Sequence, residues 1–267
     1  MSAQIHPTAL VDPGANLGAE VKVGPYAIIE EGCVIGDQCE VHAHAVICRG
    51  TRIGPRNQIG HGAVIGAEPQ DYAFKGGPSR VEIGSGNRIR EYVTIHRATR
   101  EDGATVVGND NFLMGGVHLG HDVQIGNRNI LANNTLLAGH VKVEDRVFFG
   151  GATILHQHVR IGSLSITRGG TALGKDLPPY FMAIGTNQVV GINRIGLRRA
   201  GLAHETRRAI QAAYELIYRS GLNVGQAMEE LRNKFHLPEI AHLVEFIGAS
   251  KRGICRGQAG LAAEEEE

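Results

Sequence analysis

The sequence predicts a mainly β protein, in which a parallel β-helix of six-residue repeats is followed by a C-terminal α-helical region. Taking every sixth residue from Ile5 to Leu173, aliphatic residues or phenylalanine fill 25 of the 29 positions. Neither an α-helix nor a flat strand has a period of six. Glycine supplies 37 of the 267 residues and aromatic residues only 5%, which suits tight repetitive turns.

Each six-residue unit is expected to form a short strand and a turn, with its apolar residue pointing into a narrow interior. Three units would make one triangular coil of about 18 residues, and coils stack at about 4.8 Å, the spacing of neighbouring strands. About nine such coils would form a prism on the order of 45 Å long. We expect this domain over residues 1–185.

The repeat loses its apolar residue at Asp71, Gly77 and Glu101. Loops are therefore expected to project near 67–80 and 98–105. The first combines proline, glycine and charge and is long enough to reach beyond its own coil, whereas the second is shorter and polar. Both could also be simple insertions without a role.

The repeat ends where Pro178 and Pro179 interrupt it. Residues 186–256 have helical spacing and form the predicted α-helical domain, and residues 257–267, which end in four glutamates, are predicted to be a flexible tail. Over 191–256 we count eleven lysines or arginines against six glutamates. That excess fits a solvated helical surface or the docking of an acidic partner.

Composition excludes several classes of protein. The net charge is zero, so no basic field indicates nucleic acid. Four cysteines without a CxxC pair are expected to be unpaired thiols in a reducing compartment. The N-terminus lacks a signal-peptide pattern, and no run of about 18 apolar residues occurs, so we expect a cytoplasmic protein without a transmembrane segment.

Four histidines fall within 39 residues, or about two coils: His118, His121, His140 and His156. Stacking would bring them together. Asp122 follows His121 and could hold the tautomer of its imidazole, an arrangement typical of a general base, which contributes about 10²–10⁴-fold to a rate. Without a GxSxG, P-loop or GxGxxG motif, direct transfer to a bound hydroxyl fits better than a covalent serine intermediate.

Several motifs carry a resemblance to a known family: HLGHD at 118–122, LAGHV at 137–141, LHQ at 155–157, TIHR at 94–97, DLPPY at 176–180 and YRSG at 218–221. In kind and order they resemble the UDP-N-acetylglucosamine O-acyltransferases of lipid A biosynthesis, over nearly the whole chain. This resemblance implies a left-handed β-helix and a homotrimer with active sites between neighbouring prisms. It also implies transfer of a 3-hydroxyacyl group from acyl carrier protein to the 3-hydroxyl of UDP-N-acetylglucosamine, the first step of lipid A biosynthesis.

By this resemblance His121 is the general base, Asp122 orients it, and the N–H of Gly139 donates to the oxyanion. Gly169 matches the position that sets acyl length, where a glycine leaves room for a longer chain. No metal and no cofactor are implied beyond the phosphopantetheine of acyl carrier protein, the expected acidic partner. The residues matching substrate-binding positions are Asp71, His96, His118, His140, His156, Gln157, Asn193 and Arg199.

The chain departs from the family pattern in the loop and the nucleotide region. Ala73 replaces a lysine, with Lys75 two residues later, and Ile195 and Ala200 replace an acid and an arginine. An amide-forming enzyme acting on a 3-amino UDP-sugar therefore remains an alternative. So do a non-catalytic paralogue and a zinc hydratase like the γ-type carbonic anhydrases, which would use His118, His121 and His140.

Overall fold

The computed structural model describes residues 2–258, and its strands stack into a parallel β-helix with three strands per coil. Sheet 1 contains β1 (Gln4–Ile5), β4 (Lys22–Val23), β7 (Glu40–Val41), β10 (Gln58–Ile59), β13 (Arg88–Ile89), β16 (Phe112–Leu113), β19 (Ile130–Leu131), β22 (Phe148–Phe149) and β25 (Ile166–Thr167). Sheet 2 contains β2 (Leu10–Val11), β5 (Ile28–Ile29), β8 (Val46–Ile47), β11 (Val64–Ala67), β14 (Thr94–His96), β17 (His118–Leu119), β20 (Leu136–Leu137), β23 (Ile154–Leu155) and β26 (Ala172–Leu173). Sheet 3 contains β3 (Asn16–Leu17), β6 (Val34–Ile35), β9 (Thr51–Ile53), β12 (Arg80–Ile83), β15 (Ala104–Val107), β18 (Gln124–Ile125), β21 (Lys142–Val143) and β24 (Arg160–Ile161).

The turns between these strands form three corners of the prism. We call the corner after each strand of sheet 1 corner I, the corner after sheet 2 corner II, and the corner after sheet 3 corner III. Many turns contain a residue with φ near +60°, a conformation that is uncommon outside glycine. Side chains at equivalent turn positions are therefore stacked one coil above another.

The six-residue period identifies the core. Every aliphatic or phenylalanine residue of the period from Val23 to Leu173 is buried, whereas Ile5 in the first coil is 47% exposed because that end of the prism is open. Thr167 also occupies an inward position and is buried, with its hydroxyl 2.8 Å from that of Thr153. A polar residue thus fits the interior when a second hydroxyl satisfies its hydrogen bond.

A column of buried asparagines runs inside corner III through Asn57, Asn87, Asn111 and Asn129. The Oδ1 atom of Asn57 accepts a hydrogen bond from the side chain of Asn87 at 2.9 Å, and that of Asn87 accepts one from Asn111 at 3.0 Å. The backbone N–H of Asn129 donates to Asn111 at 2.8 Å. These amides fix the register of four successive coils.

Two insertions interrupt the coils where the repeat lost its apolar residues. Along sheet 2, Val46 and Val64 are paired at a separation of 18 residues, but Val64 and Thr94 are separated by 30, and Thr94 and His118 by 24. The additional residues form a loop over 68–79 and a shorter one over 97–103. Both loops leave sheet 2 and return at sheet 3, so they lie over corner II.

The C-terminal part closes the prism and adds four helices. Sheet 1 continues through β27 (Phe181–Ile184), β28 (Gln188–Ile192) and β29 (Arg256–Gly257). The helices are α1 (Arg194–Arg199), α2 (His204–Tyr218), α3 (Val224–Lys234) and α4 (Pro238–Gly248). Within the residues described, no helix combines the length and apolar character needed to cross a membrane.

The boundaries of this part differ from those expected. The helical region assigned from residue 186 opens with β28, and its first helix begins only at Arg194. The tail assigned from residue 257 begins inside β29, because Gly257 pairs with Val189. The rest of that tail, 259–267, lies outside the described residues.

The helical part contacts corner III of the prism through α4. The Nε2 atom of His242 lies 3.0 Å from Glu144, and its Nδ1 atom lies 3.1 Å from the hydroxyl of Tyr180. Glu144 also accepts hydrogen bonds from the N–H and hydroxyl of Ser163, both at 2.8 Å. The hydrogen bond that His242 donates to Glu144 raises the pKa of His242 despite its burial.

Candidate active site

His121 and Asp122 form the turn at corner II that follows β17. Both are buried, at 5% and 8% exposure. Asp122 has φ +60°, and its N–H donates to the hydroxyl of Thr105 at 2.8 Å. This conformation directs the carboxylate back toward the imidazole of the preceding residue.

Both ring nitrogens of His121 face carboxylate oxygens. Nδ1 lies 3.0 Å from Oδ2 of Asp122, and Nε2 lies 3.3 Å from Oδ2 of Asp71 in the loop 68–79. An Nδ1–H that donates to Asp122 leaves Nε2 as the nitrogen able to accept a proton. The dyad proposed from the sequence therefore exists, and Asp71 covers its proton-accepting side.

Asp122 is held by a second loop as well. Its Oδ2 atom accepts hydrogen bonds from the backbone N–H of Thr99 at 3.0 Å and from the hydroxyl of Thr99 at 2.7 Å. Burial disfavours the charged carboxylate, but these bonds and the one from His121 outweigh it and lower the pKa of Asp122. The group beside His121 is therefore a carboxylate at neutral pH.

His140 lies one coil above His121. Its N–H donates to the His121 carbonyl at 3.0 Å, and the two rings meet edge to face with centroids 5.1 Å apart. On its other side His140 stacks on His158, with centroids 4.5 Å apart. Burial lowers the pKa of His140, the nearby Asp122 opposes this, and the charges of His158 and His121 add to the lowering.

Gly139 lies directly against the imidazole of His121. A β-carbon at this position would overlap the ring of His121, so only glycine allows the ring its present place. The Gly139 N–H donates to no acceptor within residues 2–258, and it lies in the same turn as His140. Gly139 is buried against the His121 ring, so this N–H is a donor without a partner among the described residues.

His96 and His118 lie next to each other on the adjacent strands β14 and β17 of sheet 2, with ring centroids 5.2 Å apart. The Nδ1 atom of His118 is 2.8 Å from the hydroxyl of Thr94, and that of His96 is 2.6 Å from the carbonyl oxygen of Glu68. Burial, followed by the charges of His96 and His121, lowers the pKa of His118. His118 therefore offers a neutral ring to this side of the site.

The loop that carries Asp71 is anchored by contacts near both of its ends. The guanidinium of Arg97 is 3.0 Å from Glu68 and lies 5.1 Å from the ring centre of Phe74. The hydroxyl of Ser79 donates to the carbonyl of Ala98 at 2.6 Å. These contacts fasten both ends of the loop to residues that follow β14.

The departures from the family pattern lie at the surface. The N–H of Ala73 donates to Oδ1 of Asp71 at 2.8 Å, so the backbone at this position helps to orient that carboxylate. Lys75 is exposed and donates to the carbonyl of Tyr72 at 3.0 Å. Ile195 is 57% exposed, and Ala200 is the C-cap residue that follows α1.

His156 and Gln157 also lie at corner II, in the turn that follows β23, two coils after His121. His156 is exposed, and its Nδ1 atom lies 3.3 Å from the guanidinium of Arg252. Sequence reasoning did not single out Arg252, Thr99 or His158. Only His158 had a detectable signal, because it follows His140 by the 18 residues of one coil.

Three expected site residues lie at other corners of the same chain. Gly169 belongs to corner I. Asn193 lies at corner III, where its side chain donates to the Leu164 carbonyl at 2.8 Å and accepts from Gly196 at 3.0 Å as the cap of α1. Arg199 ends that helix. A single chain therefore does not bring these residues to His121.

His121, Asp122 and His140, which we call the donor cluster, offer ligand atoms that all lie within 4.8 Å of one another. The set suggested for a zinc hydratase contained His118 instead of Asp122. However, the Oδ2 atom of Asp122 already accepts three hydrogen bonds, from Thr99 and His121. The cluster is thus built as a hydrogen-bonded network around one carboxylate.

Comparison with family models gives two matches. Residues 32–67 and 104–139 match the bacterial transferase hexapeptide model of six repeats, and residues 176–255 match domain 2 of UDP N-acetylglucosamine O-acyltransferase. Among curated relatives, an acyl-[acyl-carrier-protein]–UDP-N-acetylglucosamine O-acyltransferase from Thermodesulfovibrio yellowstonii is 44% identical over 95% of this chain and 99% of its own length. One from Paraburkholderia xenovorans is 44% identical over 95% and 100%.

Solved structures give the same result. LpxA from Bacteroides fragilis, a UDP-N-acetylglucosamine acyltransferase, has a TM-score of 0.91 and 43% identity and covers 95% of this chain and 100% of its own. The enzyme from Francisella novicida has a TM-score of 0.93 and 36% identity, covering 99% and 100%. The fold is the expected left-handed parallel β-helix with C-terminal helices. The chain belongs to the UDP-N-acetylglucosamine O-acyltransferase family.

Proposed function

We propose that this chain transfers a 3-hydroxyacyl group from acyl carrier protein to the 3-hydroxyl of UDP-N-acetylglucosamine, the first step of lipid A biosynthesis, in the cytoplasm. The donor and acceptor are those in the names of its relatives. The observation that carries the mechanism is the buried dyad at corner II, with Nδ1 of His121 3.0 Å from Asp122 and Nε2 facing Asp71 of the loop 68–79.

In the proposed reaction the acceptor hydroxyl approaches Nε2 of His121, which requires Asp71 to move aside and bind the sugar instead. Nε2 takes the hydroxyl proton as the oxygen attacks the thioester carbonyl, and Asp122 stabilises the resulting imidazolium. The N–H of Gly139 donates to the oxyanion. When the carbon–sulfur bond breaks, the imidazolium returns its proton to the departing thiolate.

The remaining expected substrate contacts surround this centre. His118 and His96 would contact the sugar on the side of His121 nearer the N-terminal coils. On the side nearer the C-terminal coils, the cleft would be lined by His140, His156 and Gln157. His140 and His118 suit a role as neutral hydrogen-bonding groups, because burial lowers the pKa of both. Asn193, Arg199 and Gly169 would complete the site only from a neighbouring copy, because they lie at other corners.

We therefore propose a homotrimer with its active sites between copies. The outward residues of sheet 2 form an apolar column in register, interrupted only by Thr94 and His118: Leu10, Ile28, Val46, Val64, Leu136 and Ile154. Sheet 1 carries a second apolar run in its later coils: Phe112, Ile130, Phe148 and Ile166. A closed ring needs two different complementary patches on each copy.

Two variants of one coil test this assembly. Ile28 points outward from sheet 2 and Val34 from sheet 3, with 37% and 41% exposure. We expect Ile28→Lys to dissociate the trimer and Val34→Lys to leave it intact, as measured by light scattering. A trimer in both variants, or a monomeric parent protein, would contradict the assignment of sheet 2 to the interface.

The function itself is tested by product mass spectrometry with a series of acyl carrier donors. UDP-N-acetylglucosamine and its 3-amino analogue serve as the two acceptors. We expect an ester of the first and a roughly 10²–10⁴-fold loss of kcat in His121→Ala. His61→Ala, at corner I, is the matched control and should keep its activity. An inactive parent protein, preference for the amine, or full activity of His121→Ala would refute the proposal.

A further inference from the structure

Thr99, in the loop 97–103, contacts the same carboxylate oxygen of Asp122 as His121 does. We propose that Thr99 is a positioning residue for acyl transfer, which acts through Asp122 on the orientation of His121. The inference rests on the proposed general-base function. It adds a residue that the family resemblance did not assign.

The geometry gives Thr99 two contacts with a single oxygen. Its backbone N–H and its hydroxyl donate to Oδ2 of Asp122 at 3.0 and 2.7 Å, and the same oxygen lies 3.0 Å from Nδ1 of His121. A carboxylate on a turn rotates easily about its last torsion. The paired donors of Thr99 select the rotation in which Oδ2 faces the imidazole.

The backbone of Asp122 is fixed independently of its carboxylate. Its N–H donates to the hydroxyl of Thr105 at 2.8 Å. Thr105 thus holds the left-handed turn, while Thr99 holds the oxygen. Losing the Thr99 hydroxyl should therefore loosen the carboxylate and leave the turn in place.

Thr99 belongs to the short insertion, the loop 97–103, which brings it next to Asp122. Along sheet 2, an uninterrupted coil spans 18 residues, as from His118 to Leu136, but Thr94 and His118 are separated by 24. The additional residues include Thr99, and the loop is closed by hydrogen bonds from Gly103 N–H to the Arg100 carbonyl at 2.9 Å and from Asp102 N–H to the Pro78 carbonyl at 2.8 Å. A plain coil has no segment at this position, so the insertion has a role at the site.

Thr99→Val removes the hydroxyl and keeps the backbone donor and the side-chain shape. We expect kcat to fall roughly tenfold, because a hydrogen bond to a charged group is lost, while KM for the sugar nucleotide changes less than about twofold. Thr99→Ser should restore most of kcat. Thr135→Val is the matched control, because the hydroxyl of Thr135 donates to a backbone carbonyl at 2.7 Å away from the dyad. It should not change kcat.

A double-mutant cycle distinguishes positioning through Asp122 from a general structural effect. In an Asp122→Asn background, Thr99→Val should cause no further loss of kcat. Unchanged kcat in the single variant, no recovery in Thr99→Ser, or independent losses in the cycle would each overturn the inference. These results require an active parent enzyme, whereas failure of the proposed function would appear as absent transfer by the parent.

Discussion

Gly139→Ala should disable the enzyme by displacing the ring of His121. The added β-carbon would lie 2.9 Å from Nδ1 and closer still to Cε1 and Nε2, whereas carbon contacts are normally about 3.5–4.0 Å. The ring must therefore move by on the order of 1 Å. A displacement of that size at a reacting group costs roughly 10²-fold in rate, so we expect kcat to fall by about that factor.

This variant keeps the Gly139 N–H, so the loss would come from the ring position alone. Gly115→Ala is the control, because Gly115 occupies the same place in a turn of corner I, and its β-carbon would meet only the ends of two side chains, at 3.2 and 3.3 Å. Steady-state rates and thermal unfolding would be compared for both variants. If Gly139→Ala folds normally and keeps kcat within about threefold of the parent, the reasoning from the His121 contact is wrong.

Three further predictions concern acyl length, pH and metals. Gly169→Met should shift the preferred donor to shorter acyl chains in the product spectrum, because a β-carbon there meets only Gly151 at 3.3 Å and the longer side chain would fill the space beyond. The ion pair of His242 and Glu144 should stabilise the fold most between pH 4.5 and 6.5, the ordinary pKa values of the two groups. The pKa of His242 is raised, so its contribution is lost as pH rises through the raised value, and that of Glu144 is lowered, so its contribution is lost as pH falls through the lowered value. Since both groups are about a third exposed, His242→Ala should cost no more than about 1 kcal/mol inside this window and less outside it, as judged from thermal unfolding across pH. Chelation should leave the transfer rate unchanged, whereas added zinc should inhibit transfer by binding the donor cluster. A transfer rate that requires zinc would show instead that this cluster is a functional metal site.

The six-residue period was sufficient to predict the inward residues of the prism. It works because a strand and a turn are purely local, so burial follows sequence position almost without exception from Val23 to Leu173. The same logic brought His121 and His140 together, because they lie in successive turns of corner II. The asparagine column at corner III follows the same spacing, but its amides are not part of the apolar pattern.

The six-residue period does not predict the contacts that the two insertions make. A loop of irregular length has no register, so the sequence does not say that Asp71 meets Nε2 of His121 or that Thr99 meets Asp122. The resemblance supplied a role for Asp71 and none for Thr99. Similarly, Asn193 lies beyond the end of the repeat, so the six-residue spacing does not say which corner it occupies.

Stacked coils also determine where this scaffold tolerates a change of length. Contacts to the dyad come from consecutive coils, beginning with Asp71 and Thr99 and ending with the stack of His140 on His158. An extra 18-residue coil between Thr94 and His158 would shift the upper groups by about 4.8 Å relative to the lower ones. Coils before Val64 carry none of these contacts. Natural variation in the number of repeats should therefore accumulate toward the N-terminal end of the prism.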